Sequence, residues 1–223
     1  MPRDQAASPS AEPTAPDRQA ADGWERRRNI LLSEYERVAL ELFAERGYHE
    51  VTVDDIAAAA GITPRTLFRY FRSKQECLLG FPRRGLAAEL EMIESLEVGD
   101  DPVKTGWRAI RDFVSASPVD PHVVELWRAA TAGAEEVEAR VRGERVDAIF
   151  QAFVAYGERC FGVRHDADPR PRLVAGILAG IEFAMVESVV QAPSLLDEIA
   201  ASADNTVLRL SRSPRLRARH SVY

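Results

Sequence analysis

Apolar positions along this chain recur at helical spacing. From Tyr35 they follow at Val38, Ala39, Leu42 and Phe43, the i, i+3, i+4, i+7, i+8 stripe of an amphipathic helix. Ser33 is placed to cap its start and Gly47 its end. No sustained apolar–polar alternation and no Asn-Gly or Asp-Gly dipeptide signals a strand or hairpin. Beyond residue 77 the helical pattern continues, broken at Gly99-Asp100-Asp101-Pro102, Ser117-Pro118, Asp120-Pro121, Asp166–Pro171 and Ala192-Pro193. The chain reads as all-α.

Between residues 52 and 76 the punctuation becomes dense. Thr52 is a helix N-cap with Asp55 three residues on, a variant of the capping box, and the helix through Val53, Ile56, Ala57 and Ala60 stops at Gly61. Thr63 caps the next helix and Pro64 takes its first position, where a missing N–H costs nothing. Ser73-Lys74-Gln75-Glu76 spells a further capping box. Helix, short turn around a glycine, helix is the spacing of a helix-turn-helix.

The second helix of that pair, Pro64–Tyr70, carries the chemistry. Leu67 and Phe71 share one face and anchor it, while Arg65, Thr66 and Arg69 point the other way. A guanidinium can fork onto guanine O6 and N7, and a threonine can bond to a base or touch a thymine methyl. Tyr70 and Lys74 at the helix end suit phosphate oxygens, as do the backbone amides near Thr52 and Ser73.

The run Val51-Thr52-Val53-Asp54-Asp55-Ile56-Ala57-Ala58-Ala59-Ala60-Gly61-Ile62-Thr63-Pro64-Arg65-Thr66-Leu67-Phe68-Arg69-Tyr70-Phe71-Arg72-Ser73-Lys74 resembles the DNA-binding signature of the tetracycline-repressor (TetR/AcrR) family, as does the preceding Ala39–Tyr48. The resemblance implies a three-helix DNA-binding domain followed by a helical ligand-binding and dimerisation domain. It implies phosphate contact from Thr52, groove-facing Thr63, Arg65, Thr66 and Arg69, and backbone contacts from Tyr70 and Lys74, with Pro64 inside the same surface. Leu67 and Phe71 match structural positions, and Phe68 divides between core and DNA edge. The expected partners are double-stranded DNA at a palindromic operator, a second copy of the chain, and a small apolar or acyl-type effector. A ligand-responsive repressor follows from this; a ligand-independent activator or architectural protein with the same head is the alternative.

The expected boundaries are a disordered tail over 1–28, the helix-turn-helix domain over 29–76, the ligand and dimerisation domain over 77–210, and a basic tail over 211–223. In the larger domain Asp168–Gln191 reads as one long helix. Its small residues Ala175, Gly176, Ala179 and Gly180 suit close helix packing, at a dimer seam with Pro193–Leu210 or within the chain. Aromatic residues cluster mid-chain, most of them core. Trp107, Trp127, Phe150, Phe153 and Phe183 are candidates to line an effector cavity, with Arg111 as a polar anchor and Arg108, Arg128 or His122 as alternates. Pro82 should kink or split its helix.

Charge sharpens this picture. The 223 residues carry 29 Lys and Arg against 35 Asp and Glu, a formal net of −6, which alone argues against a nucleic-acid partner. The acidity sits in the body, whereas Gly61–Lys74 holds Arg65, Arg69, Arg72 and Lys74 with no acid. The longest stretch without charge, Ala148–Gly157, is far below the ~20 residues of a membrane span, and no apolar signal core opens the chain. A cytoplasmic setting is expected, with Cys77 and Cys160 as buried thiols rather than redox sensors. Four scattered histidines show no metal-ligand spacing, and neither a phosphate loop nor a nucleophile elbow appears. No catalysis, metal or cofactor is expected.

Overall fold

A computed structural model describes residues 15–116, 120–191, 193–213 and 216–217. Those residues form helices and connections, with no strand among them. The head comprises α1 (Ala15–Arg46), α2 (Val53–Ala59) and α3 (Pro64–Phe68). The body comprises α4 (Glu76–Glu94), α5 (Pro102–Ala116), α6 (Pro121–Thr131), α7 (Glu135–Phe161), α8 (Arg170–Gln191), a 3-10 turn at Pro193–Leu195, and α9 (Leu196–Leu210).

Helix α1 begins far earlier than expected, which corrects two readings. Residues 15–28 are helical rather than a disordered tail, and Ser33 lies inside the helix rather than at its cap. Pro16 sits in the first turn, where it is tolerated, and most of the following residues are good helix formers. This extension leaves Trp24 and Ile30 mostly exposed, with the Arg28 guanidinium 5.9 Å from the Trp24 ring centre. Residues 1–14 fall outside the described residues.

From Tyr35 onward α1 is buried on two sides. Its expected stripe packs into the head, and Glu36 faces α4, where Arg84 Nη1 lies 2.6 Å from its carboxylate. That crossing needs Gly80: a Cβ there would stand 1.7 Å from Glu36 Oε1. Burial pushes the Glu36 carboxyl above its ordinary range, opposed by Arg84.

Two cores result. The first holds Ala39, Phe43, Ile56, Leu67 and Phe71 of the head together with Cys77, Leu78 and Leu79 of α4 and Ala130, Ala134 and Val137 of the α6–α7 corner. It therefore crosses the expected boundary at residue 76. The second collects Ile93, Trp107, Ile110, Phe153, Tyr156, Leu178 and Val207 from α4, α5, α7, α8 and α9.

Helix α4 runs unbroken through Pro82, against the expectation of a split. Proline cannot donate to the carbonyl four residues back, which is that of Leu78. The Trp127 indole Nε1 donates to that oxygen at 2.8 Å, so the bond lost inside α4 is replaced from α6. The Ser73 capping box is only half formed: its Oγ accepts from Glu76 N at 3.4 Å, while the Glu76 carboxylate pairs with Arg83 and Arg140.

Most breaks fall where proline predicts them, with Asp120 capping α6 through His122 N. The α6–α7 corner was not foreseen; its signal is Gly133, at φ +79°. The Ser117-Pro118 break lies outside the described residues. Of the basic tail, Leu216 packs into the second core and Arg217 Nε donates to Ser211 O at 3.1 Å; residues 214–215 and 218–223 lie outside the described residues.

Helices α7 and α8 cross closely at Gly157, where a Cβ would sit 2.8 Å from Pro171 Cα and so against backbone that cannot swing aside. Gly157→Ala should lower folding stability by about 1–3 kcal/mol despite alanine's better helix propensity. Urea unfolding monitored by helical circular dichroism measures this directly.

Candidate functional site

The helix-turn-helix is assembled by its caps. Thr52 Oγ1 accepts from Asp55 N at 3.1 Å, and Asp55 Oδ2 accepts from the Thr52 amide at 2.9 Å and its hydroxyl at 2.5 Å. These bonds hold the Asp55 carboxyl below its ordinary range. Gly61 turns the chain at φ +67°, a left-handed conformation costly for other residues, and Ile62 N closes onto Ala57 O at 2.9 Å. Thr63 then caps α3 by accepting from Thr66 N at 3.1 Å, and the two threonine hydroxyls lie 2.9 Å apart.

Helix α3 has one buried face and one presented face. Leu67 and Phe71 are buried, while Thr63, Pro64, Arg65 and Arg69 are exposed and Thr66 is half-buried. Phe68 is 54% exposed, which places it at the edge rather than in the core. Neither Arg65 nor Arg69 is ion-paired among the described residues. Arg72, omitted from the expected contacts, is also exposed, beyond the end of α3.

Lys74 has a different role from the one expected. Its Nζ donates to the carbonyls of Tyr48 (2.7 Å), Val51 (2.9 Å) and His49 (3.4 Å) and stands 4.4 Å from the Tyr48 ring centre. All three ammonium hydrogens are thus engaged inside the protein, closing the α1–α2 loop onto the start of α4. The ammonium expected at phosphate is thus turned toward this loop in the structure. Tyr70 is also partly structural, its ring edge-on to Tyr35 at 5.2 Å. The Thr52 hydroxyl and amide are both committed to Asp55. His49 Nε2 meets Gly133 O at 2.8 Å, tying the same loop to the α6–α7 corner.

The body holds a cavity of about 300 Å³ between α4, α5, α6, α7 and α8. Of the six expected lining residues only Trp127 and Phe183 face it. Trp107 and Phe153 are second-core residues, with Trp107 Nε1 donating to Asp204 at 2.6 Å. Phe150 packs against that core, and Arg111 pairs with Asp112 and Asp204. Arg128 lines the cavity; Arg108 and His122 do not. Helical spacing could not separate these aromatics, because core and cavity wall both require apolar side chains.

At the cavity wall lies a group the sequence did not reveal. Arg145 of α7 pairs with Glu89 of α4, 2.6 Å from Nη2 to Oε2, and with Glu182 of α8. Both carboxylates are buried, two acids around one guanidinium. Burial pushes both upward, Glu182 to about 7, and the hydrogen bond between them favours the proton on Glu182. Cys77 is buried too, its thiol pushed up to about 12 by burial, and the Cys160 thiol is likewise raised. Neither has the lowered pKa and exposure of a reactive cysteine.

Residues 37–80 match the family model described as bacterial regulatory proteins, tetR family, a span that covers both caps, the Gly61 turn and α3. Residues 37–80 therefore carry a tetR-family domain. Its relatives include MftR of Mycobacterium tuberculosis, described as a transcriptional regulator of mycofactocin biosynthesis, 57% identical over 49 residues, 22% of this chain and 25% of that one. Another is the HTH-type transcriptional regulator TcmR of Streptomyces glaucescens, 29% identical over 153 residues, 65% of this chain and 66% of that one. The matched part of this chain thus spans a quarter of one relative and just under two thirds of the other. Among solved structures, Salmonella enterica GusR aligns with a TM-score of 0.50 at 17% identity, covering 82% of this chain and 96% of GusR, a likeness of fold. No described helix is long and apolar enough to cross a membrane.

Two outcomes follow from this geometry. Lys74→Met leaves the carbonyls of Tyr48, His49 and Val51 without their donor and should cost about 1–3 kcal/mol of stability in urea unfolding. Glu182 rises from 4.5 to about 7 on folding, so the folded state holds an extra proton between those values. The resulting stability is complete below pH 4.5 and lost as pH rises through about 7. The urea midpoint should fall between about pH 5 and about pH 8, and fall less in Glu182→Gln.

Proposed function

We propose that the chain is a ligand-responsive, homodimeric repressor that reads a palindromic operator. The presented face of α3 carries this reading: Arg65 and Arg69 stand exposed and without an ion-pair partner among the described residues, opposite a face locked by Leu67 and Phe71. Arg65, Arg69 and Pro64 would meet the major groove, Thr63 and Thr66 its edge, and Arg72 and Tyr70 the phosphates. Residues 29–76 would be the reading unit and 77–210 the effector and dimerisation unit, sharing the first core.

Helices α8 and α9 support a dimer seam. A Cβ at Gly176 or Gly180 would meet nothing within 4 Å, so those glycines are not spent on packing within the chain. Ala175, in contrast, is buried in the second core. Leu173 and Leu208 are more than half exposed on the same two helices. A two-fold pairing there would present two α3 helices to two half-sites.

The cavity favours the ligand-responsive reading over the ligand-independent activator or architectural alternative, which expects a filled interior. Its volume is at the lower end of small-molecule sites. An effector with an apolar body would touch α4 at Leu79, Phe81 and Leu86, on the helix that also enters the first core. Effector and DNA would then oppose each other with equal coupling in both directions.

Arg65→Ala should cost about 1–3 kcal/mol of operator affinity and relax preference at one base position. Fluorescence anisotropy against the DNA upstream of its own gene measures both, and unchanged affinity for Arg65→Ala and Arg69→Ala would overturn the assignment. For the cavity, the wild-type chain should take up the neutral dye Nile red, and Val186→Trp should abolish the fluorescence gain. Equal uptake by the variant would remove the effector site.

A further inference from the structure

Helix α4 is at its weakest where it passes the cavity. Gly80, Pro82 and Gly85 stand close together in it, and each is a poorer helix former than alanine. A Cβ at Gly85 would meet nothing within 4 Å, so packing does not call for that glycine. Pro82 withholds the donor that Leu78 O would receive, a usual cause of a sharp bend, yet the helix continues to Glu94. Contacts from two neighbouring helices hold the stretch. From α1, Glu36 lies against Gly80 and pairs with Arg84 at 2.6 Å. None of those three residues lines the cavity. From α6, Trp127 Nε1 donates to Leu78 O at 2.8 Å. Trp127 is a cavity wall, as are Leu79, Phe81 and Pro82.

The two ends of the stretch belong to different parts of the molecule. Cys77 and Leu78 pack in the first core with the head, whereas Leu86 and Ile93 pack with the second. A bend between them turns the head against the body. Leu78 is 1% exposed, so its carbonyl is shielded from water and the loss of its donor is costly. A helix relieves such a cost by bending until the carbonyl meets water or another donor. The Trp127 ring is half-buried with the cavity beside it, so a molecule filling that space competes with the ring for room.

We propose that the Trp127–Leu78 hydrogen bond is the switch through which the cavity controls the reading head. An apolar occupant displaces the indole, Leu78 O loses its donor, and α4 bends over Gly80–Gly85, carrying α3 away from the operator. This rests on the reading of the cavity as an effector site and names the step that couples it to DNA.

Hydrogen exchange read by mass spectrometry on the full chain tests the bond without DNA or ligand. Trp127→Phe keeps a ring and removes the N–H; exchange across residues 79–88 should rise at least about threefold, while α7 keeps the wild-type rate and so reports an intact fold. Pro82→Ala returns the helical donor to Leu78 O, so adding Trp127→Phe to that variant should leave exchange there nearly unchanged. Operator anisotropy should follow the same cycle: Trp127→Phe binds at least about tenfold more weakly, and the double variant binds within about threefold of Pro82→Ala alone. Saturating Nile red should weaken operator binding by the wild type, and Pro82→Ala should take up the dye yet lose most of that response. The switch is overturned if Trp127→Phe exchanges and binds operator like the wild type, or if its losses persist in the Pro82→Ala background. It is also overturned if the dye weakens operator binding equally in Pro82→Ala. A wild-type chain that takes up no Nile red overturns the effector site and the displacement step with it, and the exchange cycle then decides separately whether the indole holds α4.

Discussion

Helix α4 must serve two cores with one backbone, and Pro82 makes that possible only with help. The carbonyl of Leu78, deprived of its helical donor, is met by the Trp127 indole. On one side of this junction Cys77, Leu78 and Leu79 belong to the core of the reading head; on the other Leu86 and Glu89 belong to the cavity and Ile93 to the second core. Trp127 is itself a cavity wall. One side chain therefore both mends the helix and borders the cavity, so head and cavity are joined by a hydrogen bond rather than by proximity alone.

A second constraint acts where α1 crosses α4. The absence of a side chain at Gly80 brings Glu36 against the α4 backbone, and Arg84 covers its charge. Lys74 and His49 fasten the α1–α2 loop to the beginning of α4 and to the α6–α7 corner. The head is thus held at three places by groups that are polar and specific, each sensitive to small displacements in a way that apolar packing is not.

Much of this was legible before any coordinates. Thr52, Gly61, Thr63 and Pro64 act through local rules of capping and turning, so their roles can be read within four or five residues of sequence. Leu67 and Phe71 follow from the same short-range periodicity. What escaped was set by residues far apart in the chain. Lys74 resembles any cation at a helix end until the carbonyls of Tyr48, His49 and Val51 are seen around it, and Glu89, Arg145 and Glu182 come from three different helices. Trp107 and Phe153 have the composition of cavity-lining residues and the position of core. The extension of α1 to Ala15 was hidden by the prolines and polar residues before it, which lower the average over a segment whose later half is strongly helix-forming.

The identity of the cations on and just after α3 has a consequence of another kind. The chain contains only two lysines: half-buried Lys74 donates to three carbonyls and Lys104 lies on α5. Arg65, Arg69 and Arg72 keep their charge at any physiological pH and offer no primary amine. Lysine acylation, which elsewhere erases positive charge from a nucleic-acid surface, has nothing to react with on this edge. Its charge is permanent at any physiological pH.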